Sequence, residues 1–333
     1  MTKMDFSRTM DKALVHRVAV AEVFVTGAVA AAEGEYRIGV QVPRHHGMYG
    51  DALHTTGRYD PMFFLEACRQ STYVVVHLFH DVPLDRNFIL RDVAVRVVDS
   101  DLLAIGETPT EAVLHVRVQR QFRNRDRALT GMRVGYQVVI DGRVAVECEL
   151  SASWITAREH DALRTRSRED LGLGARPTAC PAARRAPAEL VNRRVPLNVV
   201  ISRPVRDDRG GHRAALIADT THPSLFDHPL DHLPGMLEVE ACRQLALASL
   251  GPGWRLDRLS ARFREFAEFD LPTHCVTDLP EPQDGDQDGV RVPVRVVQAG
   301  RTVLEAEVGL VRVPDTADGT GSEITPMALV ASR

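Results

Sequence analysis

Lysine is almost absent from this 333-residue chain, occurring only at Lys3 and Lys12, so nearly all of its 41 basic residues are arginines. With 45 acidic residues and a net charge of −4, the strongly basic balance of a nucleic-acid binder is missing, as is any helix-turn-helix pattern. The five cysteines (Cys68, Cys148, Cys180, Cys242, Cys275) are odd in number and lack CxxC or Cys/His spacing, which argues against a disulfide framework and a zinc site. No nucleophile elbow around a serine is present. The opening MTKMDFSRTMDKALVHR has no apolar h-region, and no run approaches the roughly 20 apolar residues of a membrane span. These absences set the expectation of a reduced, cytoplasmic protein that works without metal, membrane or nucleic acid.

What is present is self-similarity, in three places that keep their order. Leu14-Val15-His16-Arg17 matches Leu190-Val191-Asn192-Arg193 at an offset of 176. Met62 followed by Glu66-Ala67-Cys68-Arg69-Gln70 matches Met236 followed by Glu240-Ala241-Cys242-Arg243-Gln244 at 174. Val138-Val139, Gly142-Arg143, Glu147 and Glu149 match Val296-Val297, Gly300-Arg301, Glu305 and Glu307 at 158. Three ordered matches point to a duplicated domain, the second copy shorter by a loop or strand. The Arg/Ala/Pro-rich stretch 158–188 has little apolar periodicity and reads as a solvated linker between domains 1–157 and 189–333. Pro280 to Gly289 reads as a loop.

Asp60-Pro61 supplies an N-cap and a first-turn proline to a largely apolar helix running to Phe79. A second helix is predicted from Pro234-Gly235 to just before Gly251-Pro252-Gly253. Period-two segments follow each helix: 112–118, 132–139, 144–151, 290–297 and 303–313, with turns at Asp141-Gly142 and Ala299-Gly300. One long helix followed by antiparallel strands describes a sheet wrapped around a helix, so the expected class is α+β, a tandem (double) hot-dog fold. The two sheets would join edge to edge as in a homodimer, leaving a monomer that is an internal pseudo-dimer, or a homodimer of it.

Glu66, Arg69 and Gln70 share one helix face, as do Glu240, Arg243 and Gln244. A carboxylate on a wrapped apolar helix costs several kcal/mol unless partnered, so each trio is either a packing ion pair or a site. The lead-in to the second helix favours a site. Thr221-His222-Pro223, Phe226, Asp231-His232, Pro234-Gly235-Met236 and Glu240-Ala241 resemble the loop-and-helix signature of β-hydroxyacyl-ACP dehydratases, although Phe226 stands where their catalytic histidine falls.

A resemblance covering almost the whole chain is to the AfsA family, the A-factor type γ-butyrolactone autoregulator synthases of actinobacteria. Ala13 to Arg17, Asp60-Pro61 to Gln70, Thr221 to Phe226, Asp231 to Gln244, and Arg262-Phe263 to Glu268-Phe269 carry it. The resemblance implies an acyltransferase that moves a β-ketoacyl group from an acyl carrier protein thioester to the hydroxyl of dihydroxyacetone phosphate, without a cofactor. That step commits carbon to a butyrolactone, butenolide or furan signalling molecule that regulates secondary metabolism. The alternatives are a hot-dog acyl-thioester dehydratase or thioesterase, and a non-catalytic acyl-binding module.

Within the acyltransferase reading, Glu240 is the expected general base and Arg243 its orienter or a phosphate ligand. The N–H groups of Gly235 and Met236 are expected to meet the oxyanion. Pro61 stands in place of Gly235 in the first copy and has no N–H, so the second copy is expected to hold the chemistry. Glu66 and Arg69 would contribute charge across the interface, His222 a catalytic ring, and His232, Gln70 and Gln244 contacts to substrate. Cys68 and Cys242 read as apolar fillers.

Overall fold

The computed structural model describes residues 4–53, 57–178, 183–206, 210–278 and 289–313. The Pro280 to Gly289 loop and Cys180 therefore fall largely outside the described residues. Helix α1 spans Pro61–Phe79, with Asp60 accepting from the Met62 N–H as its N-cap, and nearly every residue through Val76 is buried. Around it lie β1 (Val25–Ala32), β2 (Glu35–Val42), β3 (Asn87–Val97), β4 (Thr110–Arg123), β5 (Leu129–Ile140) and β6 (Arg143–Ile155). Helix α2 (Ala157–Glu169) follows, then β7 (Val205–Arg206), β8 (His212–Ala215), α3 (Gly235–Leu250), β9 (Trp254–Phe263), β10 (Thr273–Thr277), β11 (Val290–Gln298) and β12 (Arg301–Arg312).

Among the described residues the twelve strands form one antiparallel sheet in the order β1-β2-β4-β5-β6-β3-β9-β12-β11-β10-β8-β7. The order reads the same from either end once β1 is matched with β7, β2 with β8, and so on. The chain is a tandem hot-dog whose halves join through β3 and β9, with Asp92 opposite Arg262 and Val95 opposite Leu259. Alternation in β3 sends Val93, Val95 and Val97 inward. Asp141-Gly142 and Ala299-Gly300 both adopt positive φ, the geometry of a two-residue hairpin turn. The second copy loses no strand: β4 has 14 residues and β10 has 5, which accounts for much of its shortening.

The stretch read as a solvated linker is not solvated throughout. Residues 157–169 are a helix with a Thr156/Glu159 capping box, and two of its arginines are buried. Arg164 and Arg168 both bind Glu268, itself fully buried, at 2.7 Å, and Arg168 also reaches Asp270. Apolar periodicity missed this helix because its docking face is made of arginines. No helix among the described residues is long and apolar enough to cross a membrane.

Candidate active site

The duplication extends to individual hydrogen bonds. In the first copy, Arg17 donates to Glu66 Oε1 at 2.5 Å, Arg69 binds both Glu66 oxygens at 2.7 and 2.9 Å, and Gln70 Nε2 reaches Oε1 at 2.9 Å. In the second, Arg193 reaches Glu240 Oε1 at 2.6 Å, Arg243 reaches Oε2 at 2.8 Å, and Gln244 Nε2 reaches Oε1 at 2.6 Å. Each outer arginine also crosses to the other half: Arg17 donates to the Ser224 carbonyl and Arg193 to the Met48 carbonyl. Burial would raise both carboxyls, but the paired guanidiniums outweigh it and hold Glu66 and Glu240 at about 2. Neither is a proton acceptor at neutral pH.

The symmetry breaks at the two helix starts. Asp60-Pro61 starts α1, and Pro234-Gly235 takes its place at α3. The Asp60 carboxylate caps α1 with one oxygen and binds Arg243 Nη1 at 2.5 Å with the other. Arg193 and Arg243 are thus balanced by Glu240 and Asp60, in a closed and neutral cluster. Pro234 offers Arg69 no carboxylate; its Nη1 instead donates to the Tyr73 hydroxyl at 2.6 Å. Arg17 and Arg69 then share Glu66 as their one directly bonded carboxylate, and the buried Glu22 carboxylate reaches the cluster only through Ser224, whose hydroxyl donates to it while the Ser224 carbonyl accepts from Arg17. Pro234 also leaves α3 without a side-chain cap, so the first-turn N–H groups of Gly235 and Met236 are available to a ligand.

The open cluster faces a cavity of about 960 Å³ lined by Arg17, Glu66, Arg69, Tyr73, Gly235 and Met236. Leu90, Leu150, Leu225, Leu233 and Phe263 provide an apolar part of the wall, with Arg86, Arg91 and Arg166 also on the lining. Gly235 is required by contact, since a Cβ there would lie 2.6 Å from Phe263 Cε1. His232 lines the same space and its Nδ1 lies 2.6 Å from Asp231 Oδ1. Asp231 accepts from Arg164 through its other oxygen at 2.9 Å. Burial would raise the Asp231 carboxyl, but His232 and Arg164 bring it well below the usual range. A carboxylate holding Nδ1–H leaves Nε2 as the basic nitrogen of the ring. His160, Asp231 and His232 bring ligand atoms within 4.8 Å of one another, a possible metal spacing, yet both Asp231 oxygens are already engaged.

The sequence-predicted residues therefore separate into two groups. Glu66, Arg69, Gly235, Met236 and His232 meet at the cavity. Glu240 and Arg243, expected as general base and orienter, do not line it and are held instead by Arg193 and Asp60. Gln70 and Gln244 do not line it either. Their amides tie each helix to the extended backbone before it, Gln70 to Phe24 N and Glu22 O, Gln244 to Val200 N and Asn198 O. His222 is 2 % exposed, with Nε2 on Asn198 and Nδ1 accepting from the Ser224 and Leu225 N–H groups. Both ring nitrogens are committed, so it braces the loop, as His46 does beside Glu22 in the first copy. Sequence reasoning missed the parts played by Arg17 and Arg193, although both end the first repeated quartet. It also missed Glu238, which lines the cavity where the first copy has Phe64.

Residues 2–156 and 175–314 match the family model described as the A-factor biosynthesis hotdog domain. The chain is 32% identical over 310 residues to a 2-oxo-3-(phosphooxy)propyl 3-oxoalkanoate synthase of Streptomyces virginiae, covering 90% of this chain and 97% of that one. A synthase of the same name from Streptomyces griseus is 29% identical over 295 residues, covering 87% and 92%. Among solved structures, a 12:0-ACP thioesterase from Umbellularia californica superposes with a TM-score of 0.50 at 10% identity, covering 86% of this chain and all of that one, a likeness of fold alone.

Proposed function

Because this chain belongs to the A-factor biosynthesis hotdog family, we propose that it transfers a 3-oxoacyl group from a thioester to the primary hydroxyl of dihydroxyacetone phosphate. The observation that carries this reading is that Arg69 of the Arg17–Glu66–Arg69 cluster lacks the second carboxylate that Asp60 gives Arg243, and that the cluster opens to the cavity beside an uncapped helix start. A buried positive charge seeks an anion, and the phosphate of the acceptor supplies one. The apolar wall suits the acyl chain, and relatives named for a phosphooxypropyl oxoalkanoate join those two halves.

In this mechanism Arg69, backed by Arg17, holds the acceptor phosphate. His232 Nε2 takes the proton of the primary hydroxyl as its oxygen attacks the thioester carbonyl, and Asp231 stabilises the imidazolium that forms. The Gly235 and Met236 N–H groups receive the oxyanion. Collapse of the tetrahedral adduct breaks the C–S bond, and the departing thiolate recovers the proton from His232. Glu66 stays ionised and fixes the two arginines. Glu240, Arg243, Gln70, Gln244 and His222 act as scaffold. The exposed Arg91 and Arg166 on the cavity lining favour an acidic carrier protein as the donor's bearer. The division into domains 1–157 and 189–333 fits the mirrored strand order, with α2 as a docked connector.

Mass spectrometry of products from a defined 3-oxoacyl thioester, with and without dihydroxyacetone phosphate, tests the reading. The expected product is the phosphorylated 3-oxoacyl ester, or its cyclised, dehydrated form, only when acceptor is present. Free acid released regardless of acceptor identifies a thioesterase instead.

A further inference from the structure

Glu238 has no role in the mechanism above. It sits three residues after Gly235, on the same face of α3 and about one turn deeper. The residue is 3 % exposed, its Oε2 has no hydrogen-bond partner, and its side chain lines the cavity. The corresponding residue of the first copy, Phe64, is fully buried and apolar. Burial pushes its carboxyl well above the ordinary value and so favours the protonated form, which has a proton to donate. An unpartnered donor in an apolar wall is costly unless a ligand atom completes it, and such a site discriminates strongly against ligands lacking that atom.

We propose that Glu238 donates a hydrogen bond to the 3-oxo oxygen of the donor chain and thereby selects 3-oxoacyl over plain acyl thioesters. This rests on the acyl-transfer reading: with the thioester carbonyl at Gly235 and Met236, the next polar atom along the chain is the oxygen on C3. One helical turn, roughly 5 Å, separates the two helix positions, and a side chain spans the remaining distance to that oxygen.

The test compares kcat/KM for a 3-oxoacyl thioester and the plain acyl thioester of equal length, with dihydroxyacetone phosphate as acceptor. Wild type is expected to prefer the 3-oxo donor by about tenfold or more. Glu238→Leu is expected to lose most of that preference, while Glu238→Gln, which keeps a donor, stays within about threefold of wild type. A wild type that treats the two donors alike overturns the assignment without recourse to any variant, and so does a folded Glu238→Leu enzyme that keeps the wild-type ratio. A wild type that makes no ester from either donor overturns the acyl-transfer reading, and this assignment with it.

Discussion

Pro234→Asp should close the open cluster. The backbone already permits it: Pro234 has φ −67° and ψ 135°, and Asp60, which does the same work at α1, has φ −70° and ψ 127°. By the internal symmetry the new carboxylate caps α3 through the Met236 N–H and binds Arg69, as Asp60 binds Met62 and Arg243. Three consequences follow. A side-chain N-cap adds about 1 kcal/mol of stability, so the variant melts higher. A charge-assisted hydrogen bond between Arg69 and phosphate contributes about 1.5–3 kcal/mol, so losing it raises the KM for dihydroxyacetone phosphate roughly ten- to a hundredfold. Withdrawal of one oxyanion donor lowers kcat by about a hundredfold or more. Initial rates at saturating donor, with acceptor varied, read both constants, and a thermal melt reads the cap. A stabilised variant is needed because one that loses activity by unfolding proves nothing. If it melts higher yet keeps both constants, Arg69 does not hold the phosphate and the helix start does not hold the oxyanion.

Arg243→Gln leaves the Asp60 and Glu240 carboxylates buried with one partner fewer, so it should cost about 3–5 kcal/mol in urea unfolding while the acceptor KM of the folded fraction stays unchanged. His232→Gln should lower kcat about a hundred- to ten-thousandfold with little change in donor KM, measured by product formation at saturating acceptor. Glu66 and Glu240, each held at about 2 in the folded state against an ordinary 4.5, stabilise the fold above pH 4.5. Each loses roughly 3 kcal/mol of stabilisation as pH falls from 4.5 through 2, so their contribution to the denaturant midpoint, read as the difference from the Glu66→Gln and Glu240→Gln variants, should be constant above about pH 5 and fall steeply below it.

Much of this was legible in the sequence because duplication repeats its signals. Two helices with proline near their starts, hairpin turns at matching places and a twice-occurring Glu-Ala-Cys-Arg-Gln are local patterns, and each appears where its spacing places it. The choice between the two copies was not legible. It depends on contacts between residues far apart in the chain, such as Asp60 with Arg243 and Arg17 with Ser224, which no local period encodes. Asp60-Pro61 reads correctly as a cap and a first-turn proline, yet its second function, neutralising an arginine on the other helix, is visible only once the halves are packed. The missing N–H of Pro61 is legible in the sequence, whereas the consequence of having no carboxylate at Pro234 depends on where Arg69 lies. Helix α2 escaped notice for a related reason: its buried face is Arg164 and Arg168, and arginine in sequence reads as solvent-facing until Glu268 is found opposite. Glu238 has no counterpart in the first copy, where Phe64 stands, so the repeat that marks the trio gives no signal for it.

The most direct test of the account is a crystal structure of the protein soaked with dihydroxyacetone phosphate in the absence of any acyl donor, so that the acceptor binds without reacting. The account requires phosphate density on Arg69, within reach of the Gly235 helix start, and the Arg243 cluster unchanged. Phosphate bound only by Arg86, Arg91 or Arg166, or density at Arg243 with Asp60 displaced, contradicts it.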